Sequence, residues 1–307
     1  MKKLLLLALS IVVLTSSARA AVTITMNYDL GDDTYDVAGD STVSVANQTI
    51  FNNATAFWQG VLTGYVDGGS RTITIHASTF SQAASGGGVL LGSAGPRDGF
   101  IISASGMNYV MVSEGAARFN VHPDAVGGGG LLNELTIRHE IGHILGIGTL
   151  WSGSAATGGI TGLQELYTSG TGQYTGANAL AAYNAEFGKS GAFIPIELDG
   201  GGGTANGHWN EVTDNFAVEN APGFDSHPGD GVAAPTVVAG VNAGQSMDNE
   251  LMTGVLSGSG FLSDTTIGSF RDLGYTTIAF SVPEPSSGLV AVLGCFVMLR
   301  RKRSMAA

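Results

Sequence analysis

Cysteine is almost absent from this chain, since Cys295 near the C-terminus is the only one among 307 residues. Without cysteine, residues 21–281 cannot form the disulfides that stabilise many exported domains. A propeptide that blocks a metal ion through a cysteine is excluded for the same reason. The body of the chain must therefore gain its stability from packing and from bound ions.

Positive charge is also scarce in that body. Seven of the 13 lysines and arginines lie in residues 1–20 and 282–307, with one of the 25 acidic residues, so residues 21–281 carry a net charge of −18. Such a surface repels nucleic acid, stays soluble outside the cell and would favour basic peptides or cations. A candidate Ca²⁺ cluster comprises Asp29, Asp32, Asp33, Asp36 and Asp40. These aspartates lack the EF-hand spacing, so a solvated loop is the simpler interpretation.

Apolar runs long enough to span a membrane are lacking, but both ends carry shorter runs with targeting features. Residues 1–20 combine a basic start, an apolar run and the small-x-small sequence Ala18-Arg19-Ala20. This pattern predicts a secretory signal peptide that is cleaved after Ala20. Residues 282–307 begin with Val282-Pro283-Glu284-Pro285, continue as a short apolar run and end in four basic residues.

This three-part tail resembles the PEP-CTERM sorting signal of Gram-negative bacteria. The resemblance implies processing by an exosortase-type enzyme and a transient membrane anchor through this segment alone. It also implies a final location outside the cell, or at the cell surface or matrix. An ordinary C-terminal transmembrane helix is the alternative interpretation.

The most informative segment is an apolar stretch that contains His-Glu-x-x-His. Its apolar spacing predicts a helix over 131–147, which Asn133 or the preceding glycines could start and Gly146 and Gly148 would end. Residues four apart share one face of a helix, so His139 and His143 can bind one metal ion. Glu140 would then lie beside a water on that metal, as in metallohydrolases. The alternative is a core helix whose polar side chains are satisfied without metal.

A catalytic zinc site usually needs a third protein ligand, and the spacing alone leaves its identity open. Thr149 stands where a simple extension of the motif would put a third histidine. The open candidates lie downstream: His208 in a glycine-rich loop before a tryptophan, His227 in a surface turn, or an acidic residue such as Glu165 or Glu186.

The segment from His139 to Trp151 resembles the bacterial relatives of leishmanolysin, a branch of the metzincin peptidases with a long insertion before the third histidine. Further resembling segments follow in family order at 174–180, 207–209, 249–254 and 262–275. The resemblance implies zinc on His139, His143 and His208, Glu140 as general base and acid, and Met252 beneath the metal.

One departure from the family pattern concerns the distance between the third histidine and the methionine turn, which is the segment 249–254 that contains Met252. About 40 residues separate Trp209 from Asn249, more than the family usually has. They form either an extra loop or a rearrangement that shifts ligation to His227. We favour His208, because the sequence around it matches the family and that around His227 does not.

The expected fold is α+β, with a metzincin-like body of two lobes. The N-terminal lobe, 21–150, would hold a mixed sheet and helices, with strands at 21–26, 72–77, 99–103 and 109–112 and a helix at 47–62. The C-terminal lobe, 151–281, would be rich in loops, with helices at 177–187 and 264–273. Whether residues 21–46 are a short propeptide is left open.

The expected function is that of a secreted zinc-dependent metalloendopeptidase. Glu140 would assist the attack of zinc-bound water on a peptide bond of a protein or peptide substrate. One alternative is a catalytically weak or inactive adhesion protein of the surface or matrix with the same fold, against which the intact motif argues. Another is a zinc hydrolase that acts on a non-peptide bond.

Overall fold

The computed structural model describes residues 21–30, 37–85, 89–126, 130–152, 163–198, 203–210, 234–254, 256 and 260–281. Both targeting ends, as well as His227, Asp32, Asp33 and Asp36, lie outside the described residues. Within the described ranges, no helix combines the length and the apolar character needed to cross a membrane.

The first half of the chain builds a sheet and packs helices on it. Its elements are β1 Val22–Asn27, β2 Ser41–Thr42, α1 Val45–Val61, β3 Leu62–Tyr65, β4 Arg71–Phe80, β5 Gly92–Ala104, β6 Met107–Asn120, α2 Pro123–Val126 and α3 Glu134–Ile144. The main sheet has the order β1-β4-β6-β5, and β2 pairs with β4. Strand β4 is parallel to β1 and β6, but β2 is antiparallel to β4. Strand β5 is antiparallel to β6 and forms one edge of this described sheet.

Strand β1 is an integral part of this sheet. It pairs with β4 along its whole length, and its alternate residues Val22 and Ile24 lie in the core. The N-terminal stretch that could have been a propeptide therefore supplies an edge strand and core side chains. Its removal would leave the edge of β4 that pairs with β1 without hydrogen-bond partners and would take two buried apolar side chains out of the core.

The hairpin of β5 and β6 is much longer than the two short strands predicted from the sequence. The first residues of β5, Gly92 to Asp98, include two glycines and a proline, which are depleted in strands. They are extended because they pair with β6, with register shifts around Asp98. The connecting turn places Ser105 and Gly106 at φ 50° and 82°, the left-handed region that tight hairpin turns require.

Helix α3 is shorter than the predicted 131–147 but begins where the sequence suggested. The side chain of Asn133 accepts a hydrogen bond from Leu135 N, which caps the first turn. The helix packs between α1 and the β5–β6 hairpin. Gly115 of β6 allows close approach, because a Cβ there would lie 2.3 Å from Cγ2 of Ile144.

Few regular elements occur among the described residues of the second half of the chain. They are β7 Gln173–Tyr174, α4 Ala177–Glu186, β8 Ile194–Pro195, a 3₁₀ turn Met247–Asn249, α5 Asp264–Asp272 and β9 Tyr275–Thr277. Strand β9 pairs with β3, and the two halves share one hydrophobic core. The α+β class is therefore confirmed, and the two helices predicted for this half agree with α4 and α5 to within one residue at each end.

Helices α4 and α5 are joined by two buried carboxylates. Glu186, the last residue of α4, accepts hydrogen bonds from Asp264 N and Thr265 N at 3.1 Å each. Asp272, the last residue of α5, accepts from Asn178 N at 2.9 Å and Ala179 N at 3.0 Å. Each helix thus satisfies the free N–H groups in the first turn of the other, where a negative charge is favoured.

Candidate metal centre

Three buried histidines meet at one point of the structure. Helix α3 contributes His139 and His143, whose Nε2 atoms are 2.9 Å apart. His208 approaches from a distant part of the chain, with its Nε2 atom 3.1 Å from that of His139 and 3.0 Å from that of His143. They form the one cluster among the described residues that could hold a metal ion through three histidine, cysteine or acidic side chains.

The loop that carries His208 approaches the end of α3 at a glycine. Gly148 has φ 73°, and a Cβ at this position would lie 2.1 Å from the carbonyl oxygen of Gly207. Any side chain here would push His208 away from the other two histidines. The glycine expected to end the helix thus also makes room for the third ligand.

The hydrogen bonds of the imidazoles determine which nitrogen faces the centre. Each Nδ1 lies against a backbone carbonyl oxygen: Leu251 O at 2.7 Å from His139, Ile147 O at 2.9 Å from His143, and Thr204 O at 2.7 Å from His208. A carbonyl oxygen only accepts, so each Nδ1 carries the proton and donates it. Each Nε2 is then left with a lone pair that points toward the other two.

Burial favours the neutral form of all three imidazoles. It lowers the pKa of His208 to about 3 and that of His143 below its ordinary value. The pKa of His139 is well below its ordinary value, because of burial first and of its two histidine neighbours second. Near neutral pH, three acceptors therefore face one another without a proton between them.

A bound cation fits this arrangement. Buried acceptors without a donor are costly, and neutral imidazoles oriented by hydrogen bonds at Nδ1 are the common form of histidine ligands. A tetrahedral zinc ion with bonds of about 2.0–2.1 Å needs nitrogens about 3.3 Å apart. The observed separations of 2.9 to 3.1 Å are close to this value.

The other candidates for the third ligand do not join this centre in the described structure. Glu186 binds the first turn of α5 instead. Glu165 forms an isolated antiparallel β-bridge with Ser152, and its side chain is not part of the histidine cluster. The alternative His227 lies outside the described residues.

Glu140 follows His139 on α3 and lies against strand β5. A Cβ on Gly92 would be 3.0 Å from its Oε1 atom. The residue is only 7% exposed, and burial raises the pKa of its carboxyl group to about 8. A carboxyl group with a pKa near neutrality can accept and return a proton, and a nearby cation would favour its ionised form.

Met252 is completely buried beneath the turn of α3 that joins the two ligands. A Cβ on Gly142, which lies between His139 and His143 in sequence, would be 2.6 Å from the sulfur of Met252. The preceding residue, Leu251, provides the carbonyl group that orients His139. This short turn is therefore in contact with the ligand-bearing part of α3 through both a side chain and a backbone group.

One aspartate of the cluster suggested for calcium is paired with Arg118, a residue that the sequence gave no reason to place there. Asp40 accepts hydrogen bonds from Nε and Nη2 of Arg118 and from the hydroxyl group of Ser78. A carboxylate paired with a guanidinium group is a poor cation ligand, because a cation there would be repelled by the arginine. Asp40 therefore belongs to an ion pair, and of the other four aspartates only Asp29 is described.

Two buried residues near the centre were not predicted as functional. Glu250 accepts several hydrogen bonds beside the methionine turn, and Thr266 connects it to Trp209. A glutamate directly before the apolar pair Leu251-Met252 is the only signal that could have drawn attention to this network.

Comparison with known proteins adds no assignment to this geometry, since neither any protein-family model nor any curated protein matches the chain.

Proposed function

We propose that this protein is a secreted zinc-dependent metalloendopeptidase of the metzincin type, similar to the bacterial relatives of leishmanolysin. The observation that carries the proposal is the convergence of three neutral imidazoles, with Nε2 atoms 2.9 to 3.1 Å apart, two of them on a helix that also carries the buried residue Glu140. Zinc is the metal that most often combines histidine ligands with a neighbouring glutamate in hydrolases.

The architecture supports the two-lobe interpretation of the sequence. The half with the sheet carries α3 and thus His139, Glu140 and His143. The half with few regular elements carries His208 and Met252. A metal that binds residues of both halves would lie between the two lobes of such a peptidase.

In this proposal the ligands and the glutamate have separate roles. His139, His143 and His208 would hold zinc through Nε2, and zinc held in this way supplies a Lewis acid that acidifies water and polarises a carbonyl group. Glu140 takes a proton from the water as its oxygen bonds to the peptide carbon. It then gives that proton to the amine nitrogen as the C–N bond breaks.

The position of β5 supports a peptide as the substrate. No described strand pairs with the side of β5 away from β6, and Gly92 of this strand lies against Glu140. The open edge of a sheet can bind an extended peptide through backbone hydrogen bonds. An extended chain bound along β5 would pass next to the catalytic carboxyl group.

The test is zinc content and casein cleavage by the 21–281 body. We expect stoichiometric zinc and cleavage that a chelator abolishes. Glu140→Gln should keep zinc and lose nearly all turnover, because the amide cannot take a proton. His208→Ala should lose both zinc and cleavage, and His227→Ala should keep both.

Different outcomes of this test separate the alternatives. Casein cleavage at the wild-type rate by Glu140→Gln would remove Glu140 from the mechanism. A wild-type protein with zinc but without protein cleavage would favour the adhesion protein or a hydrolase of non-peptide bonds. Loss of zinc in His227→Ala alone would shift the third ligand into residues 211–233.

Export and surface sorting belong to the same proposal and rest on the two ends of the sequence. The mature protein should begin at Ala21 and lose residues after the Val282-Pro283-Glu284-Pro285 segment to an exosortase-type enzyme. Mass spectrometry of the protein from the culture medium and the cell envelope measures both ends. An intact C-terminus in the membrane fraction would instead indicate an ordinary anchor.

A further inference from the structure

The carboxylate of Glu250 is a buried acceptor for four hydrogen bonds close to the metal centre. It is 1% exposed. Its Oε1 atom accepts from Ser263 N at 3.1 Å, from the Ser263 hydroxyl at 2.8 Å and from the Thr266 hydroxyl at 2.7 Å. Its Oε2 atom accepts from Met252 N. The carboxylate thus links the methionine turn to the first turn of α5.

Two hydrogen bonds from Trp209 turn this link into a closed circuit. Its indole Nε1 donates to the Thr266 hydroxyl at 2.8 Å, and its backbone N donates to Met252 O at 3.1 Å. The circuit therefore runs from Glu250 through Thr266, Trp209 and Met252 and back to Glu250. All of these residues except Thr266 lie in segments without a regular helix or strand.

This circuit adjoins two of the three metal ligands. Trp209 directly follows His208 in the chain, so fixing its backbone and indole also fixes the backbone of His208. Leu251 lies between Glu250 and Met252, and its carbonyl oxygen accepts the hydrogen bond from Nδ1 of His139. His143 is different, because its Nδ1 donates to Ile147 O just after its own helix.

The chemistry of the four donors requires a carboxylate in this place. Two backbone N–H groups and two hydroxyl groups donate to the two oxygens. A glutamine side chain has one oxygen and one NH₂ group. The NH₂ group would face donors that now bond to one of the two carboxylate oxygens, and two donors cannot form a hydrogen bond with each other. A buried mismatch of this kind weakens the whole circuit rather than one bond.

We propose that Glu250 is a positioning residue that orients His139 and His208 for metal binding, through Leu251 O and Trp209 respectively. The inference rests on the proposed function only in that the bound metal is taken to be the catalytic one. Glu250 itself does not touch the metal. Its effect is on how tightly and in what geometry the metal is held.

The test compares Glu250→Gln with Glu186→Gln in the full-length protein. Both residues are buried carboxylates at the first turn of α5, but the hydrogen bonds of the Glu186 side chain go to Asp264 and Thr265 rather than to Trp209 or the methionine turn. We expect Glu250→Gln to weaken zinc binding about 10- to 100-fold, the usual effect of losing an outer hydrogen bond at a metal site. Glu186→Gln should change it less than about twofold.

The second readout is the visible absorption spectrum with Co²⁺ in place of zinc, which reports ligand geometry rather than stability. It should shift in Glu250→Gln and stay as in the wild type in Glu186→Gln. Thr266→Val keeps the shape of the side chain and removes only the hydroxyl group that bridges Glu250 and the indole of Trp209. It should weaken zinc binding by roughly 3- to 10-fold and shift the spectrum in the same direction.

Wild-type zinc affinity and Co²⁺ spectrum in both Glu250→Gln and Thr266→Val would overturn the proposal. So would equal losses of affinity in Glu186→Gln and Glu250→Gln, because these would indicate a general effect of destabilising α5. If Glu250→Gln does not fold, the zinc affinity and the Co²⁺ spectrum of Thr266→Val test the proposal on their own. A wild-type protein that binds zinc but cleaves no peptide would contradict the peptidase proposal alone. The proposal for Glu250 would stand, because zinc affinity and the Co²⁺ spectrum do not depend on activity.

Discussion

The two sides of the metal centre are held by different kinds of structure. His139 and His143 lie on one helix that is packed against α1 and a long hairpin, with the Trp58 indole donating to Arg138 O at 2.9 Å. His208 and the turn at 250–252 lie in irregular segments that depend on hydrogen bonds from buried side chains. One side is specified locally by a helix, and the other only by contacts between distant parts of the chain.

This difference predicts different responses to perturbation. A helix within a packed layer keeps its backbone hydrogen bonds when one side chain changes. The second half of the chain, which carries the other side of the centre, contains many buried polar groups in helices α4 and α5 and in the turn at 250–252, each of which costs about 1–3 kcal/mol if it loses its partner. They include Glu186, Glu250, Ser263, Asp264, Thr265, Thr266, Ser269 and Asp272.

The largest expected effect is that of removing the proposed metal, which would join the two sides. A ligand present at 1,000 times its dissociation constant stabilises a protein by about 4 kcal/mol. With a chelator, we expect residues 203–210 and 250–254 to lose amide protection, whereas α3 keeps most of its own because its helix packing remains. Hydrogen exchange followed by mass spectrometry, with and without chelator, measures this.

His208→Ala should reproduce the chelator pattern without a chelator, and it serves as the matched variant. Equal loss of protection in α3 and in residues 203–210 would show that the two sides unfold together. The two sides of the centre would then not differ in local stability.

The next effect concerns the pH dependence of the contact between helices α4 and α5 in the second half of the chain. Burial raises the pKa of Glu186 to about 7 from an ordinary 4.5, so the folded state binds a proton that the unfolded state releases between these values. The contribution of Glu186 to the free energy of unfolding should therefore be greatest below about pH 4.5 and be lost as pH rises through 7, by up to about 3 kcal/mol. Glu186→Gln should remove this slope.

Denaturant unfolding of the wild type and Glu186→Gln, both with chelator, isolates this contribution, because proton binding to the three histidines is then common to both. The difference in unfolding free energy between the two proteins should change between pH 4.5 and 7.5. A constant difference would mean that Glu186 has the same pKa in the folded and unfolded chains.

The regular side of the centre is also the part that the sequence predicted best. The spacing of His139 and His143 defined the pair because a helix repeats locally. Asn133, one of the starts predicted from the sequence, caps α3 with a side-chain hydrogen bond, which is why this helix could be located from a local signal. The strands of the hairpin were predicted too short, since Gly92 to Asp98 are extended through pairing with β6 and not through their own preference.

The irregular side could be predicted only in part. The chemistry of residues alone left His208, His227 and two glutamates as alternatives, and resemblance to a family gave the preference for His208. The structure brings His208 to the other two histidines. Nothing in the local sequence could connect Glu250 with Thr266 and Trp209, because that circuit forms only when three separate segments meet.

A smaller effect is expected from crowding the regular side. Gly115→Ala would place a Cβ 2.3 Å from Cγ2 of Ile144, which α3 can accommodate only by moving. We expect a loss of about 2 kcal/mol in unfolding free energy, typical of overpacking. Gly95→Ala is the control on the partner strand, since a Cβ there meets nothing within 4 Å.

Combining Gly115→Ala with Ile144→Ala tests the cause of that loss. If the clash is responsible, the double variant should be more stable than the sum of the two single effects predicts. Additive losses would place the cost of Gly115→Ala elsewhere, for instance in the strand itself.

The smallest effect should come from Gly92, where the regular side touches the catalytic carboxyl group of the proposed peptidase. A Cβ at Gly92 would lie 3.0 Å from Oε1 and 3.2 Å from Cγ of Glu140, so Gly92→Ala should displace this side chain by a few tenths of an ångström. We expect kcat on casein to fall up to about tenfold, or about 1.4 kcal/mol in the activation barrier, with zinc content unchanged. Gly60→Ala, where a Cβ meets nothing within 4 Å, should leave kcat as it is. Loss of zinc in Gly92→Ala would mean that β5 supports the histidines as well as Glu140. An unchanged kcat would mean that the position of Glu140 does not depend on this strand.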